Sequence, residues 1–223
     1  MHNMREQGIY SLPEAANYLR IPPSTLRAWC FGQSSGGRRF QSIIQLPNSD
    51  VKALSFVNLI EAYVLDAIRK QHKVTLQNVR KSLDYLKKEF PSKHLLADQL
   101  FETDGVDLFI DKYGSLINIS KEGQTEMKEA IRVYLSRIER DQKGLPIRLF
   151  PFTRGKEGTD PKSIVIDPSV SFGRPIIAGK GVPTSSVVSR FKAGDSIELL
   201  SEDFRITPAQ IEEAIRCEYP EAA

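Results

Sequence analysis

The residues best suited to binding a ligand lie in the N-terminal fifth of the chain. Ser24, Thr25 and Arg27 follow two prolines, and Arg38 and Arg39 follow two glycines. Hydroxyl groups donate to phosphates or base edges, and an arginine can pair bidentately with guanine. The first three residues are therefore expected to contact bases or phosphates. The arginine pair is expected to contact phosphates or a neighbouring minor groove, so this set predicts DNA binding.

The sequence supports catalysis or metal binding less well than it supports DNA binding. Cys30 and Cys217 are the only cysteines, and the three histidines are not spaced as metal ligands, so we expect no metal and no cofactor. Clustered carboxylates can hold Mg²⁺ in a nuclease, which leaves four aspartates as an alternative. These are Asp98, Asp104, Asp107 and Asp111. They fall in or beside a predicted hairpin, which favours solvated turns, and we predict no catalytic residues and no enzyme.

A glycine-rich segment near the C-terminus has some features of a phosphate-binding loop. Gly173 and Gly179 enclose five residues where that loop has four, and Gly181 follows Lys180 where the loop has Ser or Thr. The spacing therefore argues against nucleotide binding. These glycines are expected to form turns between a short strand and the next helix.

Local signals place the candidate DNA-binding residues in a helix-turn-helix. Ser11 and Glu14 have the spacing of a capping box, which predicts that a first helix begins there. The two prolines interrupt this helix, and a second helix follows until Gly32. Leu26 and Trp29 of the second helix should face the core.

The segment after the second helix is predicted to form a wing. Residues 33–39 are polar and contain glycine, as hairpin tips do, and residues 40–46 favour a β-strand. The charge distribution agrees with a DNA-binding N-terminus. Residues 1–52 have six Lys or Arg and three Asp or Glu, whereas residues 163–223 have six Lys or Arg and nine Asp or Glu.

Apolar spacing predicts three longer helices in the middle of the chain. They cover residues 56–68, 76–90 and 127–138, and each has apolar side chains three and four positions apart. Tyr63, Phe109, Tyr113 and Tyr134 of this region could line a pocket or belong to the core. A β-hairpin is predicted between the second and third helices, with strands at 106–110 and 115–119.

The C-terminal region is predicted to be a small domain. A short strand at 164–166 precedes three helices that begin near Thr184, Ser196 and Thr207. Its predicted core is formed by Val187, Val188, Phe191, Ile197, Leu200, Ile211 and Ile215.

The fold class expected from these elements is α+β and mainly helical. An N-terminal winged helix-turn-helix is followed by a middle helical region with a β-hairpin, and a small three-helix C-terminal domain follows a short strand. The predicted domains are 1–90, 91–152 and 163–223, with a polar linker at 153–162.

The chain resembles two families, the first in this order of elements and the second in individual residues. Residues 8–90 resemble the DNA-binding domains of the MerR type, in which helix, turn, helix, wing and a further helix occur in the same order. Residues 163–218 resemble the domain-of-unknown-function 433 family. The matching positions are Pro168, Gly173, Arg174, Pro175, Ile177, Gly179, Val182, Pro183, Ala193, Gly194, Asp195, Ser196, Ile197, Ile206, Thr207 and Pro208.

The second family is similar to VapB-like antitoxins. This resemblance implies a toxin partner with a PIN-type ribonuclease fold and repression of a shared operon. One departure is that the family usually has Thr-Arg after Gly179, where this chain has Lys180 and Gly181.

The leading hypothesis is therefore an antitoxin that binds operator DNA and a PIN-type toxin. The alternative is a MerR-like regulator that senses a small ligand. A homodimer is expected because helix-turn-helix proteins commonly bind two half-sites. No apolar run reaches the roughly 20 residues of a membrane helix and no secretory signal is seen, so we expect no membrane partner and a cytoplasmic location.

Overall fold

The structure of the protein is a computed structural model. It describes residues 4–35, 38–48, 52–70, 75–154 and 159–219, with only the backbone of Ser35, Arg38 and Arg39. The described residues form a mainly helical fold with three small antiparallel sheets of two strands each. This agrees with the expected fold class. None of the described helices is long and apolar enough to cross a membrane.

Two short helices are joined by a tight turn near the N-terminus. Helix α1 (Leu12–Leu19) has the predicted capping box: the Ser11 hydroxyl accepts from the Glu14 N–H at 3.4 Å, and the Glu14 carboxylate accepts from the Ser11 N–H at 2.9 Å. Helix α2 (Pro23–Phe31) starts with a proline and ends at Gly32. Both predicted helices are confirmed.

A two-stranded hairpin follows α2, in which β1 (Gln33–Ser35) pairs with β2 (Arg38–Phe40). The predicted strand at 40–46 is wrong because β2 ends where that strand would begin. The backbone N–H of Ile44 instead donates to the carbonyl oxygen of Trp29 at 3.1 Å. This bond anchors the segment to the end of α2 and to the core rather than to a β-strand.

Helix α3 (Phe56–Lys70) passes through the middle of the core. The predicted apolar face is present, but all residues except the last two are buried, including Asn58, Glu61 and Asp66. A buried polar group needs a partner, and these groups have one. Asn58 donates to Glu61 at 2.9 Å, and Asp66 pairs with Lys70 at 2.8 Å. Helix α3 is therefore covered on nearly all sides.

The next helix, α4 (Leu76–Glu89), confirms the prediction for 76–90. The predicted β-hairpin at 106–119 is wrong. A π-helical turn at Phe101–Gly105 leads directly into helix α5 (Val106–Ile117). The apolar side chains that α5 buries are Val106, Phe109, Ile110 and Tyr113. Their separations of three, one and three residues follow the helical period, which the β-favouring composition concealed.

Gly114 was expected in the turn of that hairpin, but it lies inside α5. A Cβ at this position would come within 2.7 Å of Nε2 of Gln124, which belongs to helix α6 (Lys121–Leu135). The glycine therefore permits a close approach of the Gln124 side chain to α5. Such an approach is one reason for a glycine inside a helix, despite its cost of about 1 kcal/mol relative to alanine.

Helix α6 begins six residues before the predicted 127–138 helix and ends three residues before it does. It ends at Leu135, and Ile138 instead begins strand β3 (Ile138–Arg140), which pairs with β4 (Pro146–Leu149). The middle region therefore has a β-hairpin, but at a different place from the predicted one. Ile138 is buried in the strand, as it would also be on the apolar face of a longer helix. Its spacing from the residues of α6 therefore could not distinguish a strand from a helix.

The C-terminal region confirms the predicted strand and three helices. Strand β5 (Ile164–Val165) pairs with β6 (Ile176–Ile177), and helices α7 (Thr184–Lys192), α8 (Ile197–Phe204) and α9 (Pro208–Glu218) follow. Its separate core contains Ile164, Ile177, Val187, Leu200, Ile206, Ile211, Ala214 and Cys217. Phe191 was predicted in this core but is 40% exposed.

The N-terminal and C-terminal regions pack directly on each other. The Tyr10 hydroxyl donates to the Gly173 carbonyl oxygen at 3.0 Å in a buried position. At the end of α1, the Arg20 guanidinium donates to the carbonyl oxygen of Arg216 in α9 at 2.8 Å. Helix α1 therefore has contacts both with α2 and with the C-terminal region.

The predicted linker at 153–162 lies partly outside the described residues, at 155–158. Its described N-terminal end is held in place. The Thr153 hydroxyl donates to the buried carboxylate of Glu213 in α9, and Arg154 donates to the same carboxylate at 2.6 Å. These bonds tie the segment to the C-terminal region.

Candidate nucleic-acid interface

The turn between α1 and α2 is fixed by backbone hydrogen bonds. Arg20 has the left-handed conformation that ends a helix, with φ of 55°. The N–H of Ile21 donates to the carbonyl oxygen of Ala16 at 3.0 Å, and the Ile21 side chain is buried. The N–H of Thr25 donates to the carbonyl oxygen of Pro22 at 2.9 Å as α2 begins. This turn determines which face of α2 is exposed.

Helix α2 has one buried face and one exposed face. Leu26 and Trp29 are fully buried, which confirms their predicted place in the core. Ser24 and Arg27 are exposed and Thr25 is half-buried. Residues three positions apart lie on the same side of a helix, so Ser24 and Arg27 share the outer face. The structure thus brings three of the five predicted contact residues together.

Arg27 has no ion pair in the part of the chain that the structure describes. Its guanidinium carbon lies 5.7 Å from the ring centroid of Phe31, one turn further along α2. Stacking on an aromatic ring orients a guanidinium without neutralising it. The charge of Arg27 therefore remains available for a phosphate or a base.

The hairpin joins α2 through a close backbone approach. Gly32 has φ of 76°, and a Cβ there would lie 2.3 Å from the carbonyl oxygen of Phe40. Helix α4 supports the base of the hairpin through Arg80. This guanidinium lies 5.5 Å from the Phe40 ring centroid and donates to the carbonyl oxygen of Gln41 at 2.8 Å. Arg80 therefore has a structural role beside the candidate interface.

Arg38 and Arg39 have described backbones and undescribed side chains. In the hairpin they are paired with Ser35 and Ser34 respectively. The two glycines between the strands also lie outside the described residues. The DNA contacts expected of these arginines therefore stay predictions.

An open concavity of about 650 Å³ lies beside α2. Its polar lining comes from Ser24, Thr25, Gln33, Arg69 and Thr75. Gln33, Arg69 and Thr75 were not among the predicted contact residues. They lie in β1, at the end of α3 and at the N-cap of α4, outside the recognition helix. The only local signal was that Thr75 can cap a helix. Tertiary packing brings these groups beside the N-terminus of α2.

The four aspartates considered for Mg²⁺ lie in or beside helical segments, because the hairpin predicted for this region is absent. Asp107 pairs with Lys128 at 2.6 Å, and Asp98 accepts from the N–H of Leu100 at 3.0 Å. Asp104 lies in the π-helical turn. Among the described residues, no group of three or more His, Cys, Asp or Glu is arranged to hold a metal ion.

The aromatic residues considered for a ligand pocket belong to the core. Tyr63, Phe109, Tyr113 and Tyr134 are each at most 2% exposed. The rings of Tyr63 and Tyr134 are 4.9 Å apart, and those of Phe109 and Tyr113 are 5.8 Å apart. These four residues therefore pack in the core, which was the second of the two interpretations left open by the sequence.

Both cysteines are free and buried. Burial raises the pKa of the Cys30 thiol and of the Cys217 thiol to about 12. Because the thiolate is the nucleophilic form, neither side chain is activated at neutral pH.

Two family models match separate parts of the chain. Residues 8–83 match a "Putative DNA-binding HTH domain", and residues 164–216 match "Protein of unknown function (DUF433)". The first match includes α1, α2 and the hairpin. The second includes the region from β5 to α9. These findings confirm a helix-turn-helix assignment at the N-terminus and the resemblance to the domain-of-unknown-function 433 family.

Similar proteins match nearly the whole chain. "Putative antitoxin VapB45" of Mycobacterium tuberculosis is 30% identical over 93% of this chain and 92% of that protein. "Uncharacterized protein Rv2308" of the same organism is 23% identical over 96% of this chain and 91% of that protein. A crystal structure of Rv2018 from Mycobacterium tuberculosis gives a TM-score of 0.72 at 28% identity, covering 94% of this chain and 98% of the other. The chain therefore belongs to the same protein family as the VapB45 protein.

Proposed function

We propose that this protein is the antitoxin of a type II toxin-antitoxin module. It neutralises a PIN-type ribonuclease toxin and represses its own operon by binding operator DNA. The observation that carries the proposal is 30% identity, along 93% of the chain, to a protein named as an antitoxin. This similarity includes both the helix-turn-helix region and the C-terminal region, so it supports both activities.

In this proposal the N-terminal region is a winged helix-turn-helix of the MerR type. Helix α2 enters the major groove, where Ser24, Thr25 and Arg27 contact base edges or phosphates. Arg38 and Arg39 on the hairpin contact the backbone or an adjacent minor groove. The exposed outer face of α2 and the unpaired charge of Arg27 among the described residues support this assignment.

The domain division is also a proposal. Residues 1–90 bind DNA, 91–152 support dimerisation, and 163–223 bind the toxin together with the linker at 153–162. A homodimer would place two recognition helices at half-sites separated by about one turn of DNA, roughly 34 Å. Linking two modest contacts in this way gives tight binding through effective concentration. The chain acts by occluding the toxin active site and occupying the operator, without catalysis of its own.

Phe172 is the residue of the C-terminal region best suited to contact a partner. Its side chain is 88% exposed, more than that of any other large apolar residue in the described chain. Ser171, Phe172 and Gly173 have consecutive positive φ angles of 49°, 55° and 73°. This conformation costs a residue with a side chain roughly 1–2 kcal/mol.

Surrounding contacts hold this strained loop in place. The Gly173 N–H donates to the carbonyl oxygen of Val170 at 2.9 Å, and Tyr10 donates to the carbonyl oxygen of Gly173. Strain that the rest of a structure maintains is concentrated at functional sites, and aromatic side chains are enriched among the residues that dominate interfaces. The fixed display of Phe172 therefore supports a toxin contact here.

Co-expression with the protein encoded beside this gene tests the proposal. The tagged wild type should retain that neighbouring protein through purification. Phe172→Ala should weaken the complex at least about tenfold, as expected for a central aromatic anchor. Phe191→Ala removes a partly exposed phenylalanine from α7 of the same region and should bind like the wild type.

The two activities can fail separately. If no neighbouring protein binds the wild type, the toxin half of the proposal is wrong. If the wild type does not bind the DNA upstream of its own gene in preference to unrelated DNA, the operator half is wrong. Equal losses in Phe172→Ala and Phe191→Ala would exclude Phe172 as the specific contact.

A further inference from the structure

A second concavity lies on the side of α3 that faces the middle region. Its volume is about 560 Å³, within the range of roughly 300–1,000 Å³ that is usual for small-molecule sites. Apolar walls come from Val57, Ala97, Leu100, Leu145 and Pro146. Leu100 is 47% exposed and Leu145 is 46% exposed, so these two leucines leave apolar surface in contact with solvent. An apolar ligand body would cover that surface.

Positive and protonatable groups lie in the same lining. Lys93 and Lys143 are exposed, and neither has an ion-pair partner within the described ranges. His94 lies between the apolar walls and is half-buried. Groups of this kind bind an anionic head group, whereas a purely apolar molecule would not use them.

A chain of buried hydrogen bonds fixes the orientation of His94. Its Nδ1 lies 3.1 Å from the Glu61 carboxylate, and Asn58 donates to the same carboxylate oxygen at 2.9 Å. The Ser55 hydroxyl donates to Asn58 at 3.1 Å. The Glu61 carboxylate holds the Nδ1 side of the ring, so Nε2 is the ring nitrogen available to a ligand, and in the imidazolium form it donates to an anion. This series of hydrogen bonds thus holds the His94 ring in one orientation before a ligand binds.

The lining also contains two acidic residues, Glu6 and Asp98. Asp98 accepts from the backbone N–H of Leu100 at 3.0 Å, which holds this carboxylate against the wall of the site. Glu6 is exposed and has an interaction of its own. Lys93 and Lys143 are therefore the charged lining groups for which the described residues offer no ion-pair partner.

We propose that this concavity binds a small anionic molecule with an apolar body, such as a medium-chain or aromatic carboxylate. The carboxylate lies near Lys93, Lys143 and His94, and the apolar body packs on Leu100 and Leu145. The site is distinct from the candidate DNA interface and from Phe172. Val57 and Glu61 both belong to α3, so a ligand here would contact the helix that supports the helix-turn-helix.

Calorimetric titration of the full chain with octanoate tests the site, with octanamide as the neutral ligand of matched length. The wild type should bind octanoate more tightly than octanamide. Leu100→Ser with Leu145→Ser should weaken octanoate binding about tenfold or more, because the apolar walls are lost. Lys93→Gln with Lys143→Gln should remove the preference for octanoate while binding of octanamide stays similar.

Matched controls replace exposed residues elsewhere. Leu116→Ser with Leu199→Ser should leave octanoate affinity unchanged, and thermal melting should show that all variants are folded. Lack of octanoate binding to the wild type at millimolar concentration would overturn the proposal. Equal affinity for octanoate and octanamide would overturn the anionic class, and equal losses in the remote leucine variant would overturn the location. None of these outcomes depends on toxin or DNA binding.

Discussion

Arg27 has the surroundings expected of a recognition residue. It is exposed on α2, lies over Phe31 and has no ion pair among the described residues. Arg20, only seven positions earlier, has a different environment because it donates to Arg216 in α9. Two arginines of the same basic segment therefore differ in what they can bind.

Replacing Arg27 tests base recognition. Arg27→Ala should reduce the preference for operator over scrambled DNA by about 1–3 kcal/mol, the value of one bidentate contact with guanine. Fluorescence anisotropy with the two DNA fragments measures this difference. Arg190→Ala removes the same charge from α7, where the guanidinium pairs with Asp195 and Asp203. It should leave the preference unchanged, and an equal effect of both variants would contradict the role of Arg27.

The hairpin arginines should act through charge rather than base identity. Arg38→Ala with Arg39→Ala should weaken binding to operator and scrambled DNA alike and should lower the slope of log affinity against log salt by up to about 2. Affinities measured across a series of salt concentrations provide the slope. An unchanged slope would show that these side chains do not contact phosphates.

The thiols provide a residue-scale test of burial. Because burial raises the pKa of Cys30 and of Cys217 to about 12, the thiolate is scarce at pH 8 in the folded protein. Both should react slowly with Ellman's reagent at pH 8 and rapidly in denaturant, where the pKa returns to near 8.5. Fast reaction of either thiol in the native protein would contradict its buried position.

At the scale of elements, one glycine determines how the hairpin leaves α2. Gly32 has a left-handed conformation and also lies against the backbone of β2. Gly181 also has a positive φ, of 69°, but no atom lies within 4 Å of a Cβ built there. Comparing Gly32 with Gly181 therefore shows how much steric overlap adds to the cost of a positive φ.

Alanine substitutions should distinguish these two costs. Gly181→Ala should lower the free energy of unfolding by about 1–2 kcal/mol through conformational strain alone. Gly32→Ala should lower it by a further 1–3 kcal/mol, because the added methyl group overlaps the carbonyl oxygen of Phe40. Urea unfolding measures both values. Equal losses would mean that the hairpin relaxes away from α2 without cost.

At the scale of the whole molecule, the DNA-binding region is not an isolated module. Helix α1 supports α2 on one side, and the residues that flank α1, Tyr10 and Arg20, donate to the C-terminal region. The loop that displays Phe172 is held by the same Tyr10. The candidate DNA and toxin surfaces are therefore connected by a short series of direct contacts.

Removing one contact should reveal this connection. Tyr10→Phe leaves the buried carbonyl of Gly173 without its partner and should lower the free energy of unfolding by about 1–3 kcal/mol. Tyr85→Phe, at a 37% exposed tyrosine on α4, should change it by less than about 0.5 kcal/mol. Chemical denaturation measures both. Equal stability of Tyr10→Phe and the wild type would show that this bond does not stabilise the contact between the regions.

Elements whose signals are local could be predicted without knowledge of the fold. The capping box at Ser11, the prolines before α2 and the apolar spacing of α3 and α4 are each contained within a few residues. The C-terminal motif is also continuous in sequence. Local hydrogen bonds and helical periodicity are fixed by neighbouring residues, so these predictions did not require the fold.

Elements that depend on distant partners could be assigned only once the packing of the chain was known. Residues 106–117 have a composition that suits a strand, and packing against α4 and α6 makes them a helix. Ile138 fits the period of α6, and pairing with β4 makes it a strand. The grouping of Arg69 and Thr75 with α2, and of His94 with Glu61, has the same origin. The physical reason is that such contacts join residues far apart in the chain, and their free energy is absent from any local pattern.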